Sequence, residues 1–295
     1  MTRDGQLPAG TRRRRPEARV RAGAGTRSGN LVVGSILIGI VALAALVSIF
    51  WTPYNPEGVF PQELLLPPSA DHLLGTDNFG RDVLSSLLRG AQISLLVGVV
   101  AVGIAVLIGV PFGIIAGMHP GPLDRLMMRG NDVSLAFPAL LLAIIFGAAF
   151  GANTLTAMIA LGIGSAPAFA LVARSGTRQV MSREYILAAR ASGKGAWFVG
   201  LRHVLPNISG MLIVQASVSF GIAVLAEAAL SYLGLGTTPP TPSWGRMLQD
   251  AQGYIYVQPL LVLWPGLAIA IAVLGFNLLG DGLRDRFDPR MQVQR

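Results

Sequence analysis

The chain is expected to fold as an all-α polytopic membrane protein with six transmembrane helices, and three observations carry that expectation. Of its 295 residues 52% are hydrophobic and 13% charged, where soluble domains carry about a quarter charged. Six apolar runs approach or exceed the ~18–20 residues that cross a bilayer as helix. The polar segments between them are basic on one side of the chain's alternation and poor in base on the other.

Residues 1–30 form a basic tail with eight arginines in the first 27 positions and no apolar periodicity, the composition of a disordered cytoplasmic segment. Arg12 to Arg15 run into Pro16 and Glu17 rather than an apolar core, against a twin-arginine export signal. The first apolar run, Leu31 to about Trp51, is long for a cleavable signal and reads as an uncleaved span. Trp51 closes it as an interface anchor, a role also expected of Trp244.

Residues 52–90 carry Pro53, Pro56, Pro61, Pro67 and Pro68 and are too polar to remain in lipid. Asp82 to Leu88 place Val83, Leu84, Leu87 and Leu88 on one helical face, so a short amphipathic helix against the membrane is expected there. Span two follows from about Ile93 to Met118, with Pro111 as a kink position. A short polar link with Arg125 and Arg129 leads to span three, from Asp132 or Val133 to Phe150. A turn at Gly151 to Asn153 opens span four, about Thr154 to Val172. A polar loop over residues 175–207 comes next, then span five from about Ser209 to Leu235. Residues 236–258 form a second polar excursion, and span six is Leu260 to Leu279 with a charged tail.

Six spans place both termini on one side. With the N-terminus inside, 20 of the 23 lysines and arginines face inward and only Arg81, Arg89 and Arg246 face out, which the positive-inside rule assigns to the cytoplasm. The chain is therefore expected as a multi-pass protein of a prokaryotic plasma (inner) membrane, with residues 52–90 and 236–258 extracytoplasmic and the 175–207 loop cytoplasmic.

Several chemistries are disfavoured. Cysteine is absent, and His72, His119 and His203 lack metal-ligand spacing, so no metal site is expected. The formal charge of +8 resides in the tail and inner segments rather than in a nucleic-acid-binding surface. A phosphate-binding Walker loop needs Lys followed by Ser or Thr, but the only lysine, Lys194, precedes Gly195; no GxSxG elbow exists either. No catalytic residue is expected.

Within the inner loop, Met181 to Ser192 favours helix, with Ser182 as its cap and Ala188, Ala189 and Ala191 as strong formers. Gly193 and Gly195 interrupt it, and Ala196 to Val204 resumes a helical pattern until Pro206. Two short helices about a glycine hinge are expected. Trp197, Phe198 and Leu201 give this hairpin apolar area that a solvated loop has no use for unless a partner or the span ends cover it.

These residues resemble the EAA motif of binding-protein-dependent ABC importer permeases: EAA, three residues, Gly, nine residues, Ile, one residue, Leu-Pro. Ala188 and Ala189, Gly193, Leu205 and Pro206 occupy its positions, while Leu187 stands for Glu and His203 for Ile. The RHVLPN wording of Arg202 to Asn207 is similar to the dipeptide and oligopeptide branch. GTDNFGRDV (75–83), LSYLGLGTTPPTPSWGRML (230–248) and NLLGDGLRDRFDPR (277–290) resemble the C-type permease subunit of that branch, so the likeness covers nearly all but the N-terminal tail.

The resemblance implies a type I ABC importer permease fold over residues 31–295. It also implies a homologous B-type permease partner, one or two cytoplasmic ATP-binding subunits that carry ATP and Mg, and an extracytoplasmic substrate-binding protein. No cofactor would bind this chain itself, and hydrolysis would occur on the partners. Coupling to the ATPase would fall to Glu184, Ala188, Ala189, Gly193, Lys194, Trp197, Arg202, His203, Leu205 and Pro206.

Glu227 is the one formal charge well inside a span. It either lines the path or makes a structural hydrogen bond. Gln215 and Asn277 are candidate polar contacts between spans or along the path. Asp77, Arg81 and Asp82 are a candidate extracytoplasmic ion-pair cluster, holding the amphipathic helix or touching the binding protein. His203 is expected as a hydrogen-bonding residue at the loop's end. Rival readings are an importer of nickel complexes, glutathione or another small solute, an ion-gradient-driven secondary transporter, and a membrane-bound enzyme.

Overall fold

The computed structural model describes the backbone of residues 24–287 and side chains from 29 to 286. Most of the basic tail expected over residues 1–30, and the last eight residues, lie outside the described residues.

Ten α-helices make up the described chain: α1 (Ala24–Phe50), α2 (Val83–Met118), α3 (Pro122–Ala136), α4 (Ala139–Phe150), α5 (Thr154–Met181), α6 (Glu184–Ala191), α7 (Ala196–Val199), α8 (Leu205–Tyr232), α9 (Trp244–Ala251) and α10 (Leu260–Phe287). Five helices are long and apolar enough to cross a membrane, and the bent pair α3 and α4 gives a sixth if it is one span.

α2 and α5 form the centre of the bundle. Their backbones approach along Gly109, Gly113 and Gly117, where an added Cβ would stand 2.2 Å from the Ala166 carbonyl, 2.3 Å from that of Ala170 and 2.7 Å from Thr177 Cβ. A stripe of small residues at four-residue spacing allows such contact where lipid provides no hydrophobic drive between helices. α8 packs on both, α10 on α8, and α1 lies outermost against α10 and α2.

Several expected boundaries are corrected. The amphipathic helix at 82–88 is not separate: it is the first turn of the 36-residue α2, whose start is fixed by Asp82 accepting from the Ser85 amide at 2.8 Å. Span four runs on to Met181, nine residues past its expected end, and Ser182 terminates it instead of capping the next helix. α8 begins at Leu205 rather than 209 and ends at Tyr232.

Span three is the largest correction. The polar link with Arg125 and Arg129 is itself helix α3, and α3 meets α4 at a 78° bend. Phe137 is extended (φ −91°, ψ 119°) ahead of Pro138, as the proline ring demands of its predecessor. α3 is held to α5 by Asp124, buried at 2% exposure, which accepts from Arg174 at 2.5 and 2.8 Å and from Arg178 at 2.5 Å. Asn131, two turns further along the same face of α3, donates to the Pro167 carbonyl at 3.3 Å.

Candidate functional site

The loop between α5 and α8 folds as the expected pair of short helices at one end of the bundle. α6 ends in a Schellman cap: Gly193 N–H donates to the Arg190 carbonyl at 3.0 Å and Lys194 N–H to the Ala189 carbonyl at 3.1 Å, with Gly193 at φ +74°. That left-handed conformation is why glycine stands there; no atom crowds the position.

The inner side of the hairpin is anchored. Ile186, Val199, Val204 and Ile208, each at 0% exposure, share a core with Val110 and Met118 of α2 and Phe169 and Ala173 of α5. Its outer side is bare: Trp197 is 79% exposed, Leu187 61%, and Tyr185, Phe198 and Leu201 are exposed as well. Glu184, Ala188, Lys194 and Arg202 are exposed alongside them, and Ala189 is half-buried.

Lys194 Nζ stands 5.0 Å from the Phe198 ring. The His203 ring lies 5.7 Å from Phe198 and 6.1 Å from Tyr185. His203 therefore contributes an aromatic face, and its carbonyl accepts from Asn207 Nδ2 at 2.6 Å.

Pro206 does not end the second helix. A π-turn over Gly200–Val204, closed by Leu205 N–H to the Gly200 carbonyl, joins α7 to α8, and Pro206 follows it inside the continuous run, with no N–H to give to the preceding turn. Residues 196–232 thus run as 37 residues of unbroken helix.

At the opposite end, residues 52–82 fold onto α2 and α9. Arg81 bridges Asp77 at 2.7 Å and Asp250 at 2.9 Å, and Asp250 also meets Arg246 at 3.1 Å. Asp82 stands apart from this chain of ions, contrary to expectation. Its carboxylate accepts from the Ser85 amide and hydroxyl and pairs with His72 Nδ1 at 3.1 Å. The Tyr54 ring covers His72 at 4.6 Å.

Trp244 is 2% exposed. Its indole lies over Gly90, where an added Cβ would stand 2.5 Å away, and its Nε1–H donates to the Leu87 carbonyl at 3.0 Å. It is a buried wedge between α9 and α2 rather than an interface anchor, whereas Trp51 is 61% exposed.

Glu227 is fully buried and accepts at Oε1 from Ser231 Oγ at 2.6 Å and Thr237 Oγ1 at 3.2 Å. Gln215 bonds Ser219 within its own helix at 3.1 Å instead of crossing to another span. Asn277 is exposed on α10, its Oδ1 facing Gly221 of α8. These three side chains do not converge on one cavity.

Sequence reasoning missed the Asp124 cluster, the Arg246–Asp250 link and the hydroxyls around Glu227. The signal for the first was present: Arg174 and Arg178 are four residues apart, on one helical face, and lacked an assigned acid.

Residues 109–293 match the family described as Binding-protein-dependent transport system inner membrane component. The chain is 42% identical over 261 residues to the Dipeptide transport system permease protein DppC of Alkalihalophilus pseudofirmus, covering 88% of this chain and 86% of the relative. It is 42% identical over 265 residues to the Di/tripeptide transport system permease protein DppC of Pseudomonas aeruginosa, covering 88% of each. It is 39% identical over 263 residues to the Glutathione transport system permease protein GsiD of Pectobacterium atrosepticum, covering 88% and 87%. Among solved structures, a chain of the inward facing MetNI methionine ABC transporter superposes with TM-score 0.57 at 20% identity, over 68% of this chain and 96% of that one, a likeness of fold.

Proposed function

The chain belongs to the binding-protein-dependent transport system inner membrane components, and on that premise we propose that it is the C-type permease subunit of an ATP-driven importer of di- or oligopeptides. It is a multi-pass inner-membrane permease and not itself a catalytic enzyme. ATP and Mg bind the partner ATPases. A homologous B-type permease completes the pathway, and an extracytoplasmic binding protein delivers the substrate. The names of the dipeptide and di/tripeptide relatives support the substrate class.

One observation carries the coupling role: the α6–α7 hairpin is fixed to the bundle on one side and exposes Trp197, Leu187, Phe198 and Leu201 on the other. Such an apolar patch marks a protein contact. The hairpin is cytoplasmic in this reading, as are both termini, and residues 52–90 and 236–258 are extracytoplasmic; the distribution of basic residues supports that orientation.

The geometry also gives a transmission route. Closure of the ATPases on ATP would displace α7, and because α7 continues through the π-turn into α8 without a break, the displacement reaches the far end of α8 as motion of a rigid rod. Gly193 isolates α6 from that rod. Glu184, Ala188 and Ala189 shape the first helix of the contact; Lys194, Trp197, Arg202 and His203 border the second, with Leu205 and Pro206 at its junction with α8.

The glutathione relative supports a second substrate reading within the same class of small peptides. Both are tested by co-expressing the chain with candidate permease, ATPase and binding-protein subunits from the same organism and reconstituting the complex in liposomes. ATP-dependent uptake of labelled dipeptides, competed by unlabelled peptide, is expected. Uptake that ignores ATP and collapses with the proton or sodium gradient would defeat the importer reading, and uptake of glutathione alone would select the second substrate.

A further inference from the structure

Glu227 lies five residues before the end of α8, and the chain after that helix folds back over it. Ser231 Oγ donates to Glu227 Oε1 and accepts from the Thr237 amide at 2.9 Å, while the Thr237 hydroxyl reaches the same carboxyl oxygen. Ser94 on α2 and Ser243 at the start of α9 flank the carboxyl group without a hydrogen bond to it, Ser243 Oγ accepting instead from the Arg246 amide at 3.3 Å. Oε2 and Ser94 Oγ are both buried without a partner. One side chain thus stands where α2, α8, residues 233–243 and α9 meet.

The surrounding backbone is pressed close enough that this meeting point has little slack. A Cβ at Gly236 would lie 2.3 Å from Ser231 Oγ, and one at Gly245 would lie 2.1 Å from the Ala228 carbonyl. Thr154 at the start of α5 adds a 3.3 Å contact to Thr237. Placing a carboxyl group in such a spot is costly unless its oxygens are satisfied, and the one partner it holds on α8 itself would not need the loop.

We propose that Glu227 is a positioning residue for transport: with Ser231 and Thr237 it pins residues 233–243 to the end of α8, so that this loop and the start of α9 move with α8 as one body when α8 is displaced from its other end. The proposal rests on the importer reading for its functional consequence, but not for its structural one. The carboxyl group acts through the loop it holds and does not contact substrate.

The test compares E227Q, E227A and T237V in the assembled complex in nanodiscs, with hydrogen–deuterium exchange of the permease and ATP-driven uptake as paired readouts. Glutamine keeps the Oε1 acceptor and supplies an N–H toward Ser94, so E227Q is expected to retain slow exchange across 233–243 and most of the uptake. In E227A, exchange over 233–243 should rise about tenfold, the factor for losing one buried hydrogen bond of ordinary net strength. Its exchange over 184–207 should stay unchanged, with ATP hydrolysis persisting while uptake falls. T237V removes one partner and leaves the carboxyl group, so it should loosen 233–243 by a smaller factor even where E227A assembles poorly.

Loss of uptake in E227A with exchange over 233–243 unaltered would overturn the proposal and return Glu227 to the substrate path. Equal loss in E227Q and E227A would do the same, by making the charge the required feature. Failure of the importer reading is read separately, as absence of ATP-driven uptake in the unaltered complex with the exchange pattern of the variants as expected.

Discussion

The two ends of the bundle solve the same problem in opposite ways. At the end holding residues 52–82 and α9, ionic and polar side chains find partners within the chain: Arg81 with Asp77 and Asp250, Asp250 with Arg246, Asp82 with His72, Trp244 with the Leu87 carbonyl. At the α6–α7 end the chain leaves Trp197, Leu187 and Phe198 uncovered and its lysine over an aromatic ring. The first end pairs its ionic groups within the chain, although Val59, Leu73 and Tyr256 are bare there as well; the second gathers its bare apolar area on one hairpin, where a partner would cover it. The contrast predicts that substitutions at the first end cost stability, and that those at the second cost assembly or coupling.

The largest effect is expected from R81A. Arg81 and Asp250 are each 9% exposed at the side chain; removing Arg81 strips a partner from both Asp77 and Asp250 but leaves Arg246 at 3.1 Å from Asp250, so the loss should reach the lower end of the about 3–5 kcal/mol of a broken buried pair. Thermal unfolding of the purified chain in detergent should fall by many degrees. A midpoint close to that of the unaltered protein would show that the bridge is solvated and that the two ends are not so different.

W197A tests the other end and should separate binding from stability. Truncating an exposed aromatic at the centre of a partner contact removes about 2–4 kcal/mol of association, read as loss of co-purifying ATPase. The unfolding midpoint should barely move, because the residue is 79% exposed. Unchanged co-purification would deny the hairpin its proposed contact.

How much of this contrast the sequence disclosed depends on which force sets each feature. Apolar runs marked the spans because lipid depth is a property of composition, and Gly193 marked the hinge because a left-handed turn favours glycine. Helix continuity is a different matter. α2 starts ten residues before its apolar run because Asp82 caps it and Gly90 makes room for Trp244, which are contacts between distant segments. The 78° bend at Pro138 hid inside a run apolar enough to pass as one straight span. Trp51 and Trp244 are the same residue type near comparable boundaries, yet one is bare and the other buried, a difference that only the packing of α9 on α2 decides. Asp124 was overlooked because a lone acid in an arginine-bearing link looks solvated until α5 brings Arg174 and Arg178 to it.

A smaller effect belongs to G193V. The position is open, so a side chain meets no neighbour, and the cost is the left-handed backbone alone, about 1–2 kcal/mol for a residue with a Cβ. That is too little to unfold the bundle but enough to shift α6 against α7. ATPase should still co-purify with this variant, while uptake per ATP hydrolysed should drop; normal coupling would mean that the angle between the two helices is immaterial.

The smallest expected effect is K194M, and it sharpens the comparison most because it alters the exposed end without removing apolar area. The ammonium group over Phe198 contributes about 0.5–1 kcal/mol at an exposed site, and methionine retains a long stem that can lie on the same ring. Association with the ATPase should therefore weaken by only a few-fold, with the unfolding midpoint unchanged. If the lysine instead meets a carboxylate of the partner, the loss should deepen at low ionic strength and shrink as salt screens the pair in the unaltered complex. A salt-independent, few-fold change would place the energy of this end in the aromatic and aliphatic surface of Trp197, Phe198 and Leu187, with the basic residue serving to orient it.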